Sequence, residues 1–354
     1  MTERTTGPRP TLESVAARAG VSRATASRVV NGGTGVRGAL ADKVRQAVEE
    51  LGYIPNHAAR TLVTRRTGAI AVIIGEPGFR VFSDPFFERQ VRGINRELTA
   101  HDAQLVLLWA EGPGDHDRIA RYLGGGHVDG ALAFSLHTDG ALTSAIQSAR
   151  VPAVFGGRPD GPGVAVADVP HVDCDNRGGA REAVDHLIAI GRRRIAHIAG
   201  PRDQTSALDR LAGYHDALTG EGEALLVSQG DFTAGSGARA MADLLSRRPD
   251  VDAVFAANDL MATGALRTLR ERGLSVPEDV AVVGFDDMPS VADATDPPLT
   301  TVRQDIEGMG RLMVRLLMQI LQSDGDGGAD ERGAMGGLPA SVVTPTTLVR
   351  RASA

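Results

Sequence analysis

From Gly68 to the C-terminus the chain alternates short apolar runs with amphipathic stretches, and this alternation limits its fold more than any other feature. Strand-like runs are Ala69–Ile74, Gln104–Trp109, Gly130–Phe134, Ala153–Phe155, Ile195–Ala199, Ala253–Ala256 and Val280–Phe285. Between them apolar residues recur at helical spacing over Phe86–Ala100, His116–Leu123, Gly140–Ala149, Arg177–Ile190, Ala207–Thr219, Ala234–Arg247 and Leu260–Arg272. Such βαβα order implies parallel sheets covered by helices on both faces. The stretch is too long for one α/β core, so two similar lobes are expected. A long helix, Ile306–Leu321, precedes a low-complexity segment, Ser323–Gly337, whose Gly and Asp cannot bury enough apolar surface to order it. A final strand-like run spans Ser341–Val349.

The first 67 residues have a different period. Thr11 suits an N-cap and is followed by Leu12, Val15, Ala16 and Ala19 at helical spacing. Gly20 stops that helix and tolerates the positive φ of a tight turn. Ser22 caps a second helix running through Val29 or Val30. A third, from about Leu40 to Leu51, aligns Val44, Ala47, Val48 and Leu51. Two short helices joined at a glycine and backed by a third form a helix-turn-helix pattern. Pro55 disfavours helix at Ile54, and Asn56 can cap a short helix His57–Val63.

Charge divides at the same place. The net charge of −6 seems to exclude nucleic acid, yet residues 1–66 hold 11 basic and 5 acidic groups, and the remainder 27 and 39. A basic segment on a helix-turn-helix points to DNA. The second helix exposes Arg23, Ala24 and Arg28, while Val21, Ala26, Val29 and Val30 face inward. The arginine fork matches guanine O6 and N7, and Ala24 suits a thymine methyl. Ser22, Thr25, Ser27 and Asn31 suit phosphates, which set register without reading sequence.

Several motifs resemble one family. Thr11-Leu12-Glu13-Ser14-Val15-Ala16 through Gly20-Val21-Ser22, Thr25, Ser27-Arg28-Val29-Val30-Asn31-Gly32 and Leu51-Gly52-Tyr53-Ile54-Pro55-Asn56 resemble the start of the lac/galactose repressor family. Ala59-Arg60 and Leu62 follow, then Asp84-Pro85-Phe86-Phe87, Arg210 before Gly213-Tyr214, Asn258-Asp259, Gly284-Phe285-Asp286-Asp287 and Pro297-Pro298-Leu299-Thr300-Thr301. The resemblance covers nearly the whole chain from residue 11.

It implies an N-terminal all-α helix-turn-helix headpiece, a hinge, and a core of two doubly wound parallel-sheet lobes like periplasmic binding proteins of type I. The expected layout is a disordered N-terminus at 1–10, the headpiece at 11–52, the hinge and linker at 53–67 and the core at 68–354. The core's first lobe is expected at 68–167 and 302–322, the second at 168–288 and 338–350, with 323–337 an insertion. Chain crossings are expected near Ala167, between Met288 and Thr301, and within Ser323–Leu338. By resemblance Arg23, Ala24 and Arg28 carry base specificity. The hinge residues Asn56, Ala59, Arg60 and Leu62 belong at the minor groove, with Leu62 the wedge that kinks the operator centre. This chain departs from the family before the third helix, where Arg37 and Leu40 replace polar phosphate-touching residues; Arg37 substitutes electrostatically. Ala26 stands where a larger β-branched residue is usual.

By the same resemblance, effector-cleft walls are Asp84, Phe86 and Phe87 from the first lobe and Arg210, Phe232, Asn258 and Asp286 from the second, with Arg158 and Ser206 weaker candidates. The set suits polyols: Asp accepts from paired hydroxyls, Asn accepts and donates, Arg offers a fork, and aromatics cover an apolar sugar face. The bland alternatives are that Phe86 and Phe87 are core and Asp84 is a helix cap.

The expectation is therefore a homodimeric cytoplasmic repressor of a palindromic operator, controlled by a small molecule, most readily a sugar. The alternatives are a purine or nucleoside effector, or a solute-binding protein. No enzyme, cofactor, metal or membrane partner is expected. G-x-S-x-G, H-E-x-x-H and P-loop motifs are missing from the sequence. Gly33-Thr34-Gly35-Val36-Arg37-Gly38 matches G-x-G-x-x-G but lacks the preceding strand that a dinucleotide site needs. Asp115-His116-Asp117 reads as a helix cap, and Cys174 lies between two aspartates that disfavour a thiolate. A lone cysteine, no secretory h-region and no apolar run of about 20 residues favour the cytoplasm.

Overall fold

The computed structural model describes residues 10–31, 35–54, 66–161, 169–218, 226–325 and 341–354. The chain divides into two compact units, Met1–Thr67 and Gly68–Ala354.

The first unit contains α1 (Leu12–Ala19), α2 (Arg23–Val30) and α3 (Gly38–Leu51). Thr11 and Ser14 cap α1 reciprocally: Thr11 Oγ1 accepts from Ser14 N–H at 3.2 Å and Ser14 Oγ from Thr11 N–H at 2.9 Å. Gly20 ends α1 at φ 67°, the left-handed conformation that glycine adopts without Cβ strain. Ser22 Oγ then accepts from Thr25 N–H at 3.1 Å and starts α2. Val15, Ala16, Ala19, Ala26, Val44 and Ala47 form the core. Its small side chains let three short helices approach closely.

The second unit contains two six-stranded sheets. One holds β1 (Ala69–Ile74), β2 (Gln104–Trp109), β3 (Gly130–Phe134), β4 (Ala153–Gly156), β5 (His171–Cys174) and β11 (Ser341–Thr344), ordered β11-β5-β4-β3-β1-β2 and all parallel. The other holds β6 (Ile195–Ala199), β7 (Leu226–Gln229), β8 (Ala253–Ala256), β9 (Ala281–Asp286), β10 (Thr300–Arg303) and β12 (Thr347–Val349), ordered β12-β10-β9-β8-β6-β7, with β12 antiparallel. Helices α4 (Gly78–Ser83), α5 (Pro85–Ala100), α6 (Pro113–Gly124), α7 (Ala141–Ser148) and α13 (Ile306–Gly325) belong to the first lobe. Helices α8 (Asn176–Ala189), α9 (Thr205–Leu218), α10 (Ala234–Arg247), α11 (Asp259–Glu271) and α12 (Pro289–Ala292) belong to the second. Central strands such as β1, Ala-Ile-Ala-Val-Ile-Ile, are apolar throughout because helices cover both faces.

The lobe boundaries expected from sequence need correction. β5 lies in the first sheet, so the second lobe begins after Cys174 and not at 168. Its four residues alternate polar and apolar, and buried His171 and Asp173 hide the strand from a hydrophobicity reading. β10 lies in the second sheet, so the return to the first lobe follows Arg303 and not residue 301. The run Ser341–Val349 is two strands in different sheets, not one strand of the second lobe. Pro345 separates them, since it has no N–H for a sheet ladder. The third crossing is therefore at Thr344–Thr347 rather than within 323–338. Ser323, Asp324 and Gly325 extend the final helix; most of the low-complexity segment lies outside the described residues.

In each sheet the strand order reverses between the first strand and the third, β1 and β3 or β6 and β8. Ligands of doubly wound folds bind beyond the carboxyl ends of strands at such switch points.

Candidate functional sites: a DNA-reading helix and an inter-lobe cleft

On α2, Arg23, Ala24 and Arg28 are exposed together with Ser22, while Ala26 is fully buried. Thr25 and Ser27 are half-buried. Ser22 Oγ lies 2.9 Å from Thr25 Oγ1, and Asn31 Nδ2 donates to Ser27 Oγ at 3.2 Å. Arg23 forms a 2.7 Å ion pair with Glu13 of α1 that sequence reading missed. Both partners are exposed, so the pair is readily exchanged for another acceptor. Arg37 is exposed and precedes α3 without a side-chain cap. The hinge candidates Asn56, Ala59, Arg60 and Leu62 lie outside the described residues.

The second site is a cleft of about 780 Å³, open mouth included, between the two lobes. Asp84, Phe86, Phe87, Arg158, Ser206, Arg210, Phe232, Asn258 and Asp286 all border it. Local folding places each side chain. Asp84 caps α5, its Oδ1 accepting from Phe86 N–H at 2.9 Å, so it is both cap and cleft wall. Burial raises its carboxyl above the usual range, against the opposing backbone bond and Arg80. Phe87 is core and wall at once: it is buried, stacks on Phe134 at 6.2 Å and meets half-buried Phe86 edge-on at 5.5 Å.

From the second lobe, Asn258 caps α11, its Oδ1 accepting from Met261 N–H at 2.9 Å while Nδ2 donates to the Phe232 carbonyl at 3.0 Å. Arg210 is buried over the face of Phe285, 3.7 Å from the ring centroid. Its Nε donates to Asn176 Oδ1 at 2.9 Å, its Nη1 to the Ala257 carbonyl at 2.6 Å, and Nη1 lies 3.5 Å from Asp286. Asp286 ends β9 at φ 112° and accepts from Gln304 Nε2 at 2.7 Å. Burial raises its pKa to about 7, helped by Asp84 and opposed by Arg210, Gln304 and Arg80. Beneath it, buried Asp259 accepts from Thr301 Oγ1 at 2.5 Å and Met288 N–H at 2.8 Å. The Asn-Asp and Gly-Phe-Asp-Asp motifs thus form one clamp around a strand end.

Arg158 clamps the lobes together: Nη2 lies 2.8 Å from each oxygen of Asp209 on α9. On one rim His137 Nδ1 lies 2.6 Å from Asp203 Oδ2, and Thr138 N–H donates to the Asp203 carbonyl at 2.7 Å. The cleft also gathers Arg80, Gln90, Asn176, Gln204 and Gln304, which sequence reading missed. Asn176 and Gln304 follow β5 and β10, the strands too short and polar to recognise; finding those strands would have found them. The lining balances Arg80, Arg158 and Arg210 against Asp84, Asp173 and Asp286. It suits an uncharged ligand rich in hydroxyls.

Cys174 borders the cleft but is buried, and burial, before any carboxylate, holds its thiol well above the usual range. Asp115 is not the cap of α6, which is Gly112; it sits in the first turn, accepting from Glu111 N–H at 3.0 Å and pairing with Arg118 at 2.7 Å. No helix among the described residues is long and apolar enough to cross a membrane.

A helix-turn-helix followed by a two-lobed ligand cleft defines a ligand-responsive class of regulator. Residues 11–56 match the model of bacterial regulatory proteins of the lacI family, and residues 184–354 that of a periplasmic binding protein-like domain. The chain belongs to the lacI family and is a DNA-binding transcriptional regulator, not an enzyme. It is 51% identical over 313 residues to the HTH-type transcriptional regulator CelR of Thermobifida fusca, covering 88% of this chain and 91% of that one. Among solved structures it resembles a transcriptional regulator CelR–cellobiose complex, at 46% identity and TM-score 0.74 over 98% of this chain and 100% of that one. It also resembles the lac repressor dimer bound to operator and the anti-inducer ONPF, at 30% identity and TM-score 0.80 over 97% and 98%.

Proposed function

We propose that this chain is a homodimeric repressor whose inter-lobe cleft binds a neutral sugar, of the β-linked glucose disaccharide class, and whose headpieces bind a palindromic operator. The carrying observation is the cleft lining: three arginines balanced by three aspartates, with phenylalanines from both lobes. The cellobiose in a similar structure supports the same ligand class. Arg23, Ala24 and Arg28 read bases in the major groove, and Ser22, Thr25, Ser27, Asn31 and Arg37 hold phosphates. Asn56, Ala59, Arg60 and Leu62 form the minor-groove hinge, with Leu62 as wedge.

In the cleft, Asp84, Asp286 and Asn258 accept from hydroxyls, Arg210 and Ser206 donate, and Phe86, Phe87 and Phe232 cover apolar ring faces. Arg158 joins the lobes beside the ligand. Sugar binding changes the angle between lobes and hence the hinge spacing, so effector and operator affinities are linked reciprocally.

The test is titration of the full chain with cellobiose, followed by operator binding in a fluorescence-polarisation assay, the operator being selected from random duplexes. Asp286→Ala is expected to abolish the response to cellobiose and leave operator binding intact. A full response in that variant would show that the cleft is not the effector site.

A further inference from the structure

His137 ties the two lobes through both nitrogens of its ring. Nδ1 lies 2.6 Å from Asp203 Oδ2 of the second lobe, and Nε2 lies 3.1 Å from the Gly75 carbonyl oxygen, just after β1 in its own lobe. A carbonyl oxygen and an ionised carboxylate only accept hydrogen bonds. A neutral imidazole has one N–H and one bare nitrogen, so it satisfies one of these acceptors and turns a lone pair on the other. The imidazolium, with two N–H groups, makes both bonds. The geometry of the junction is therefore that of the charged ring.

Leu136, next to His137, and Gln204, Thr205 and Ser206, directly after Asp203, line the cleft, whereas His137 and Asp203 do not. Beside the ring, Thr138 N–H donates to the Asp203 carbonyl at 2.7 Å, and Glu76, next to Gly75, accepts from Gln204 Nε2 at 2.6 Å. The charged groups on the surrounding segments have other partners. Glu76 pairs with Arg80 at 2.7 Å and Arg158 with Asp209 at 2.8 Å. Asp139 accepts from Ala141 N–H at 3.0 Å, Asp160 from Gly161 N–H at 2.8 Å, and Arg202 Nε donates to Gln229 Oε1 at 3.0 Å. Carboxylates and guanidiniums ordinarily keep their charge between pH 6 and 8, while an imidazole changes its own there.

We propose that His137 and Asp203 form a proton-dependent latch between the lobes. The imidazolium holds Asp203 while anchored on Gly75, and loss of either ring proton breaks one of the two bonds and loosens that rim of the cleft. His137 is thus a positioning residue, acting through the walls that Leu136 and the segment 204–206 supply. The latch belongs to the empty cleft, so it does not rest on the sugar-binding reading. Closure weakens as pH rises, which opposes any gain in effector affinity from ionising Asp286. The pair is 36% and 56% exposed, so solvent protons reach it and its effect is modest.

The experiment is hydrogen exchange of the full chain without effector, resolved at the Thr138 amide, whose bond to Asp203 opens when the lobes part. Protection is corrected for the intrinsic rate at each pH, and thermal melts check each variant's fold. The wild-type amide is expected to be about threefold better protected at pH 6 than at pH 8. His137→Gln, which cannot titrate, is expected to abolish that difference. Asp203→Asn, which removes the charge and keeps the backbone bond, is expected to lessen it. A merely structural histidine would lower protection equally at both pH values when replaced. Equal protection of the wild type at pH 6 and pH 8 overturns the inference. So does a full difference retained in His137→Gln.

Discussion

Asp286 joins backbone strain, burial and charge at one point of the cleft wall. It and Asp287 hold positive φ angles of 112° and 51°, sparsely populated for residues other than glycine. Such strain persists where surroundings over-determine the backbone, here through Gln304, Arg210 and the Asp259 clamp. Burial lifts its folded pKa to about 7 from an ordinary 3.8, so the native chain holds a proton there that the unfolded chain releases. This group's contribution to stability is complete below about pH 4 and is lost as pH rises through about 7, at up to about 1.4 kcal/mol per pH unit. Asp286→Asn is expected to lessen the fall in stability between pH 5 and 7 in urea melts, with buried Asp84, Asp173 and Asp259, whose carboxyls are also raised, supplying what remains. If a sugar hydroxyl donates to the ionised carboxylate, as proposed above, effector affinity should rise from pH 6 to pH 8 in the wild type and rise less in Asp286→Asn. Titrations across that range decide it. Asp286 was legible because a motif placed it at a strand end. Arg80 was not, since no periodicity marks the short helix that carries it.

The headpiece helices were legible because their signals are local: a capping box at Thr11 and Ser14, a left-handed Gly20 and a cap at Ser22. Ser22→Ala should therefore cost about 1 kcal/mol of headpiece stability. Ser22→Thr should restore most of it. A thermal melt that resolves the headpiece transition measures both, and an unchanged melt in Ser22→Ala would remove the cap from the account. Strands β5, β10 and β11 were misassigned because their identity is not local. Each has four residues, and what makes it a strand is the neighbour it pairs with: β5 with β4 and β11, β10 with β9 and β12. Pro345 was visible in the sequence as a break, but which sheet takes each side depends on pairing partners more than 40 residues away.

Across the molecule, the net −6 resolves into a basic first unit and an acidic second one, divided at residue 67. Phosphate attraction is then expected to concentrate on the headpiece, with the acidic core discouraging nonspecific DNA contact. Removing residues 1–67 should abolish operator binding at any salt concentration while leaving sugar affinity within about twofold, because the core buries its own hydrophobic clusters. Gel-shift and calorimetric titrations of the truncated chain test both halves. Tight, salt-sensitive DNA binding by that core would refute the assignment.

The sequence by itself determined the βαβα alternation, the headpiece and the charge division. These depend on spacing, capping and composition, all written in neighbouring residues. Only the tertiary structure decided where the lobes exchange strands, how Arg158 and Glu76 tie one lobe to the other, and that Arg80, Gln90, Asn176, Gln204 and Gln304 join the cleft wall. Those facts arise where segments distant in the chain meet, and burial and pairing there depend on the partner as much as on the residue.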